Sequence, residues 1–263
     1  MKRYPPWGMI GPPLIARWVL ASQTSSVRIE GLENVPNHGP VLLVARHFHH
    51  LLDGAVLVRH VPRPVHIVVG LDWIADAQTR HWMERACNTA QYPILLRPAT
   101  LGERNGYARN ELRHYTRTGV RDATALLTAG RVVLVFPEGY PNIDPTFARK
   151  TSDDEFLPFA RGYQRMIAMA QRNTNMQVAV VPIGLHYERE TKWRIIARLG
   201  PARFDPTNEE MEVAVRELSV PTRLAAPPDV IPSGVEGPPR SCLCARRHGC
   251  ERKRPANAGL FLF

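Results

Sequence analysis

The residues whose types and spacing are best suited to chemistry lie at positions 46–54, RHFHHLLDG. A histidine can take up a proton near neutral pH, and a neighbouring carboxylate can fix its tautomer and stabilise the imidazolium that forms. His47 and His49 are therefore candidate general bases, and Asp53 is the candidate carboxylate. On a regular helix His49 and Asp53 would share one face, whereas His47 could reach Asp53 only from a loop before the helix.

A second group of candidate residues could bind a substrate. In FPEGYP, at positions 136–141, Glu138 could bind a hydroxyl or a cation, and Gly139 would allow a close approach of the backbone. Arg97 follows the apolar run ILL, and its planar guanidinium could hold a phosphate through paired hydrogen bonds. Arg161 stands before a glycine at the start of a helical stretch. Taken singly, each of these residues also fits an ordinary turn or surface position.

Short apolar runs alternate with amphipathic stretches along most of the chain, which predicts strands alternating with helices. The predicted strands lie at 41–45, 66–70, 92–96, 132–136, 178–183 and 193–199. The predicted helices begin near His49 or His50 and lie at 76–89, 107–129, 159–172 and 208–218. This order indicates an α/β fold with a mixed, largely parallel central sheet covered by helices. Ligands of such folds bind where strands end, so both groups of candidates are expected there.

The joint order of five sequence blocks resembles the glycerolipid acyltransferase family, which includes glycerol-3-phosphate and lysophosphatidic acid acyltransferases. The blocks are VLLVARH with its following Asp, ILLRP, FPEGYP, FARGYQRM and VVPIGL. They predict a catalytic domain at 27–218, and their common order is far more specific than any single block.

The sequence departs from the family pattern at two places. FPEGYP lacks the Thr-Arg or Thr-Ser that usually follows the glycine. Four residues separate the family's His and Asp, whereas five separate His47 from Asp53 and three separate His49 from Asp53. Alignment of the preceding strand favours His47 as the base, with Arg46 in place of the usual Asn and one residue inserted. His49 remains the alternative base.

The resemblance implies transfer of a fatty acyl group from a thioester to a hydroxyl of a glycerol phosphate or lysophospholipid. The donor would be acyl-CoA or acyl carrier protein, acting as a substrate, and no cofactor or metal is expected. Asp53 would hold the basic histidine, Arg97 would hold the acceptor phosphate, and Glu138 would place the glycerol hydroxyl. Gly139 and Arg161 would complete the substrate site. The sequence contains no Gly-x-Ser-x-Gly elbow, which argues against an acyl-enzyme hydrolase.

Two other classes of function compete with acyl transfer. A metal-dependent hydrolase could use His47, His49, His50 and Asp53 as ligands, although the usual continuation into Asp-His is missing. A nucleic-acid binder is supported only by the net charge of +10 and a basic tail. No recognised nucleic-acid motif is present, so a nucleic-acid partner is not expected.

The composition and the two ends of the chain set the remaining expectations. The 263 residues, 44% of them hydrophobic, suffice for one globular core, and no apolar run reaches the roughly 18–20 residues that span a bilayer. Residues 1–26 include LIARWVLA, which could form a short amphipathic helix against the core or on a membrane. The basic charge suits polyanions in general and does not choose among nucleic acid, anionic lipid and phosphorylated substrates. Because the resemblance implies a lipid acceptor and product, we expect a peripheral protein on the cytoplasmic side of the membrane. Residues 219–263 predict a disordered, proline-rich basic tail.

Overall fold

The computed structural model describes residues 7–74, 76–96, 107, 109–144 and 149–220, so most of the predicted tail lies outside the described residues. The helices within these ranges are α1 (Trp7–Gln23), α2 (Leu52–His60), α3 (Ala77–Ala90), α4 (Arg109–Thr128), α5 (Gly162–Thr174) and α6 (Asn208–Ser219). The strands are β1 (Thr24–Glu30), β2 (Val41–Ala45), β3 (Val65–Ile67), β4 (Val69–Gly70), β5 (Ile94–Leu95), β6 (Val132–Val135), β7 (Ala179–Arg189), β8 (Trp193–Leu199) and β9 (Arg203–Phe204). None of the described helices is long and apolar enough to cross a bilayer.

The central sheet has seven strands, and six of them follow the order β1-β8-β7-β2-β6-β3. The ninth strand pairs with the beginning of β7. Strand β7 is antiparallel to β8 and β9, and every other pair in this sheet is parallel. Strands β4 and β5 form a separate parallel pair. The predicted α/β class with a largely parallel sheet is confirmed.

The middle of the sheet is buried on both faces, which explains why its strands are continuous apolar runs. All five residues of β2 are buried. Leu42 and Val44 belong to a core that includes side chains of α4, α5 and α6. Val41 and Leu43, on the other face, belong to a core that includes Leu57 of α2. Alternate residues of one strand therefore bind two layers of helices to the sheet.

Helix α1 is longer than the predicted stretch at 14–21 and runs through Pro12 and Pro13. It docks on the core through Ala16, Val19 and Leu20, which pack with α2, β7 and β8. Its other side carries large apolar side chains in solvent, and Ile10 and Leu14 are each 59% exposed. We call the exposed residues Ile10, Leu14, Ile15 and Trp18 the apolar stripe of α1.

The strand boundaries differ from the predicted ones wherever pairing depends on residues that are distant in the sequence. Strand β7 continues six residues beyond the predicted end at 183, because it pairs with β8 as far as Arg189. The predicted strand at 66–70 is two strands, since β3 joins β6 whereas β4 joins β5. Strand β1 was not predicted, because its half-polar sequence acquires its pairing only from β8.

Gly184 provides a test of how β7 packs against α6. A Cβ atom at this position would overlap the main-chain carbonyl group of Leu218, which cannot move away as a side-chain end can. We expect Gly184→Ala to lower the free energy of unfolding by about 2–3 kcal/mol in chemical denaturation. Gly162→Ala is the control, since a Cβ there meets no atom within 4 Å. Equal unfolding midpoints for the two variants would contradict the close packing of β7 against α6.

Candidate active site

The carboxyl ends of β2 and β6 bring the two main sequence clusters together. These strands are parallel neighbours, so the segments that follow them leave the sheet at the same edge. The structure places His47 and Asp53, from the first cluster, beside Phe136 and Glu138 from the second. The ring of His47 stacks on that of Phe136 with centroids 4.4 Å apart. The sequence predicts both clusters at strand ends, and the sheet order makes them adjacent.

His47 and Asp53 form the central pair of the site. The Nδ1 atom of His47 lies 2.9 Å from Oδ2 of Asp53. The carboxylate is fully buried, whereas the imidazole remains 15% exposed. Among the described residues, none hydrogen-bonds to the Nε2 atom on the far side of the ring. The pair is therefore arranged so that a buried carboxylate orients a ring whose second nitrogen can meet a reactant.

The carboxylate of Asp53 receives hydrogen bonds from several parts of the chain. Its Oδ2 atom accepts the backbone N–H groups of Phe48 at 2.7 Å and His49 at 3.0 Å, besides the contact with His47. Its Oδ1 atom accepts the hydroxyl of Tyr187, a residue of β7. Burial and the Asp53 charge raise the pKa of Tyr187 well above its ordinary value, so its hydroxyl remains a donor. These donors compensate the burial of the charge.

The ring of His49 does not contact Asp53. Helix α2 begins at Leu52, so His49 precedes the helix and the expected shared helical face does not exist. Its Nδ1 atom accepts the N–H groups of Leu51 at 3.3 Å and Leu52 at 3.4 Å, which caps the start of α2. Burial is the main cause that lowers the pKa of His49 to about 4, and His50 adds to it. The structure thus brings His47, and not His49, into side-chain contact with the carboxylate.

Glu138 lies inside the site, but its carboxylate faces groups of the protein itself. Its side chain is fully buried. Oε1 accepts the backbone N–H of His47 at 2.8 Å, and Oε2 accepts that of Leu157 at 3.0 Å. Oε2 also lies 2.6 Å from Nζ of Lys150. The expected contact with an acceptor hydroxyl stays a prediction, because the carboxylate is buried and its described contacts are with groups of the protein.

Sequence reasoning missed Lys150 and gave little weight to Arg46. Lys150 is one of only four lysines in an arginine-rich chain, but nothing in the polar loop around it signals that it is buried. Arg46 is also buried and donates to the carbonyl oxygens of Leu185 and Asp153. Its guanidinium lies 4.3 Å from the ring centroid of Phe156. Burial lowers the pKa of Arg46, although Glu138 opposes that shift.

The other predicted site residues take different positions. Gly139 adopts a φ of 73° and donates its N–H to the carbonyl oxygen of Phe136, so it forms the turn that follows β6. Arg161 precedes α5, and its exposed guanidinium lies 3.3 Å from Glu209. Arg97 lies outside the described residues. The roles expected for these residues in substrate binding stay predictions.

The donor set for the alternative metal-dependent function does not assemble in the part of the chain that the structure describes. No group of three or more His, Cys, Asp and Glu side chains there is arranged to hold a metal ion. The Nδ1 atom of His49 accepts backbone N–H groups, and that of His50 lies 3.2 Å from the carbonyl oxygen of Ile143. These two rings are engaged in local structure.

Comparisons with known proteins show which family the chain belongs to. A family-wide sequence model described as Acyltransferase matches residues 26–186, more than half of the chain. The chain therefore belongs to the Acyltransferase family, as the order of its sequence blocks predicted. Among solved structures it is similar to the crystal structure of the 1-acyl-sn-glycerophosphate (LPA) acyltransferase PlsC from Thermotoga maritima. That match has 15% sequence identity, covers 80% of this chain and 77% of the other, and has a TM-score of 0.49. No curated protein matches the chain in a sequence search.

The environment of His49 predicts a specific pH dependence of stability. Its folded-state pKa of about 4 lies below the ordinary value of 6.5, so the unfolded chain binds the proton more readily. The stability from neutral His49 is present above pH 6.5 and is lost as pH falls towards 4. In His49→Asn the amide oxygen can still cap α2 but does not titrate.

We expect the free energy of unfolding of the wild type to fall by about 2 kcal/mol more than that of His49→Asn between pH 7 and pH 5. Urea unfolding at the two pH values measures this difference. His66, whose pKa burial also lowers, is present in both proteins and cancels. The ring of His50 stacks on that of His49 and its charge lowers the pKa of His49, so the difference includes the coupling of these two histidines. Parallel pH profiles would show that His49 is not held neutral by burial.

Proposed function

We propose that this acyltransferase moves a fatty acyl group from a thioester, on coenzyme A or acyl carrier protein, to a hydroxyl of a glycerol phosphate or lysophospholipid. The observation that supports the proposal is the contact of His47 with the buried carboxylate of Asp53 at the edge of the sheet. The order of the sequence blocks supports the choice of a glycerolipid acceptor.

His47 is the proposed general base of this reaction. An alcohol has too high a pKa to attack at neutral pH, so a base must remove its proton as the bond to the thioester carbonyl forms. The Nε2 atom of His47 takes that proton, while Asp53 holds Nδ1–H and stabilises the imidazolium. The imidazolium then returns the proton to the thiolate that leaves. The transfer is direct, with no acyl-enzyme intermediate.

The acceptor is proposed to bind through its phosphate. Arg97 keeps the phosphate-binding role that the family resemblance implies, since its guanidinium can form two parallel hydrogen bonds to phosphate. Gly139 and Arg161 keep their proposed places in the substrate site. Comparison of phosphorylated with neutral acceptors tests this assignment, because a neutral alcohol offers Arg97 no anionic partner.

We further propose that the protein binds the membrane peripherally through the apolar stripe of α1. Leu14 and Trp18 are spaced one helical turn apart and are 59% and 56% exposed. Arg17, beside them on the helix, is also exposed and can meet lipid phosphate. The net charge of +10 adds attraction to anionic lipid. A membrane surface is also where a lipid acceptor would be found.

The proposed chemistry is tested with a labelled acyl thioester and a panel of glycerol 3-phosphate, lysophospholipids and neutral alcohols. Wild-type enzyme should label a phosphorylated acceptor. His47→Ala and Asp53→Asn should each lower kcat on the order of 10²–10⁴-fold, because each removes general-base catalysis. The double variant should be scarcely slower than either single variant, since the two residues act as a unit.

Two other histidine variants make this test specific. His81→Ala, an exposed position on α3, should retain wild-type turnover. His49→Asn should keep a substantial fraction of it. An inactive His49→Asn beside an active His47→Ala would assign the base to His49 instead, and labelling of no acceptor by the wild type would contradict the proposed function.

Membrane binding is measured by sedimentation with vesicles of anionic or neutral phospholipid. We expect Leu14→Ser combined with Trp18→Ser to weaken binding to anionic vesicles at least ~10-fold, because two apolar side chains no longer enter the lipid. Phe204→Ser is the control, since Phe204 is 55% exposed but lies outside α1. High salt should release the wild type. Equal binding of the α1 variant and the control would contradict a membrane role for the stripe.

A further inference from the structure

The backbone of His47 is held from both sides by one buried ion pair. The N–H of His47 donates to Oε1 of Glu138 at 2.8 Å. The carbonyl oxygen of His47 accepts from Nζ of Lys150, also at 2.8 Å. Glu138 and Lys150 are themselves 2.6 Å apart, and both side chains are fully buried. The pair therefore contacts both polar groups of the residue whose ring meets Asp53.

The ammonium of Lys150 has no donor to spare for a ligand. It carries three protons, and it contacts Glu138, the carbonyl of His47 and Oδ1 of Asn142 at 3.0 Å. Asn142 in turn donates its amide to the carbonyl of Ser152 at 2.8 Å. Lys150 thus ties the loop after β6 to the loop after β2. Lys150 therefore holds other groups of the protein in position and has no donor left to bind a substrate.

We propose that Lys150 is a positioning residue for the catalytic histidine, which it places through the backbone together with Glu138. This inference rests on the proposed function, since it takes His47 as the base. His47 follows β2 in a loop, and its neighbours Arg46 and Phe48 form backbone hydrogen bonds with Ile183 and Ile143. The N–H and carbonyl groups of His47 itself instead bond to Glu138 and Lys150. A displacement of the reacting group by about 1 Å can lower the rate on the order of 10²-fold.

Stability alone does not account for a buried ion pair at this position. The cost of removing both charges from water commonly cancels their attraction, and an apolar pair of similar size often folds as well. What an apolar pair cannot do here is donate a hydrogen bond to the carbonyl of His47. Loss of Lys150 should therefore affect the orientation of the imidazole more than substrate affinity.

The test compares Lys150→Met with Arg63→Met. Arg63 is a matched control, because its guanidinium also holds backbone carbonyls, those of Gly39 and Gly130 among them, but at the opposite edge of the sheet. We expect kcat of Lys150→Met to fall on the order of 10²-fold, with smaller changes in KM for donor and acceptor. Arg63→Met should lose stability and keep the wild-type kcat per folded molecule.

A second measurement reads the position of the ring without any turnover. In protein whose histidines carry an isotope label, the NMR signal of the His47 Nδ1 proton reports the hydrogen bond to Asp53. The signal is assigned by its loss in His47→Gln. This signal should shift or broaden in Lys150→Met and stay unchanged in Arg63→Met. If the wild type transfers no acyl group, the proposed function fails, while this signal still decides whether Lys150 positions the ring.

A double variant covers the case in which Lys150→Met does not fold. Glu138→Gln combined with Lys150→Met leaves no unpaired charge, so it should fold, but it lacks the donor to the carbonyl of His47. The kcat of the double variant should stay below that of the wild type, and the NMR signal of its His47 Nδ1 proton should be shifted or broadened. Wild-type kcat and an unchanged His47 signal, in either Lys150 variant, would overturn the inference and leave Lys150 a purely structural residue.

Discussion

The burial of the Asp53 carboxylate is the constraint on which the rest of the site depends. An ionised carboxylate removed from water must recover its lost hydration from hydrogen bonds inside the protein. Here the donors are the ring of His47, the backbone of Phe48 and His49, and the hydroxyl of Tyr187. Each donor reaches the carboxylate only if the loop after β2 wraps around it and β7 passes beside it. The requirement to satisfy one charge therefore shapes the loop that carries the proposed base, His47.

The parallel sheet places a second segment of the chain beside this loop, so the site has two walls: the loop after β2 and the turn after β6. Because β2 and β6 end at the same edge, the turn at Gly139 lies beside the loop that contains His47. The second wall provides Phe136 for the face of the imidazole and Glu138 for its backbone N–H. The ring is thus fixed by a charge, by a stacking contact and through its main chain, while one nitrogen remains available. These three contacts support the proposed role of His47, since a general base must be in place before the reactant arrives.

The parts of the fold that the sequence predicted well are those in which one strand is buried on both faces. The runs at 41–45 and 132–136 are apolar at every position, so their pattern is unambiguous. Strand β1 and the distal half of β7 escaped prediction, because partly exposed residues there are strand-forming only when β8 is beside them. Their pairing spans more than 150 residues in the case of β1 and β8, and no local pattern encodes such a contact.

The candidate site shows the same division between residue type and environment. The sequence marked His47, His49 and Asp53 as chemically able, but spacing alone left two bases in competition. The structure separates the two histidines by what surrounds them: one ring contacts a carboxylate and solvent, whereas the other is buried and accepts backbone N–H groups. Lys150 is a second example, since a lysine in a polar loop predicts a solvated charge whereas this side chain is buried. Its actual partners lie on residues 8, 12 and 103 positions away, so only the folded chain defines what it does.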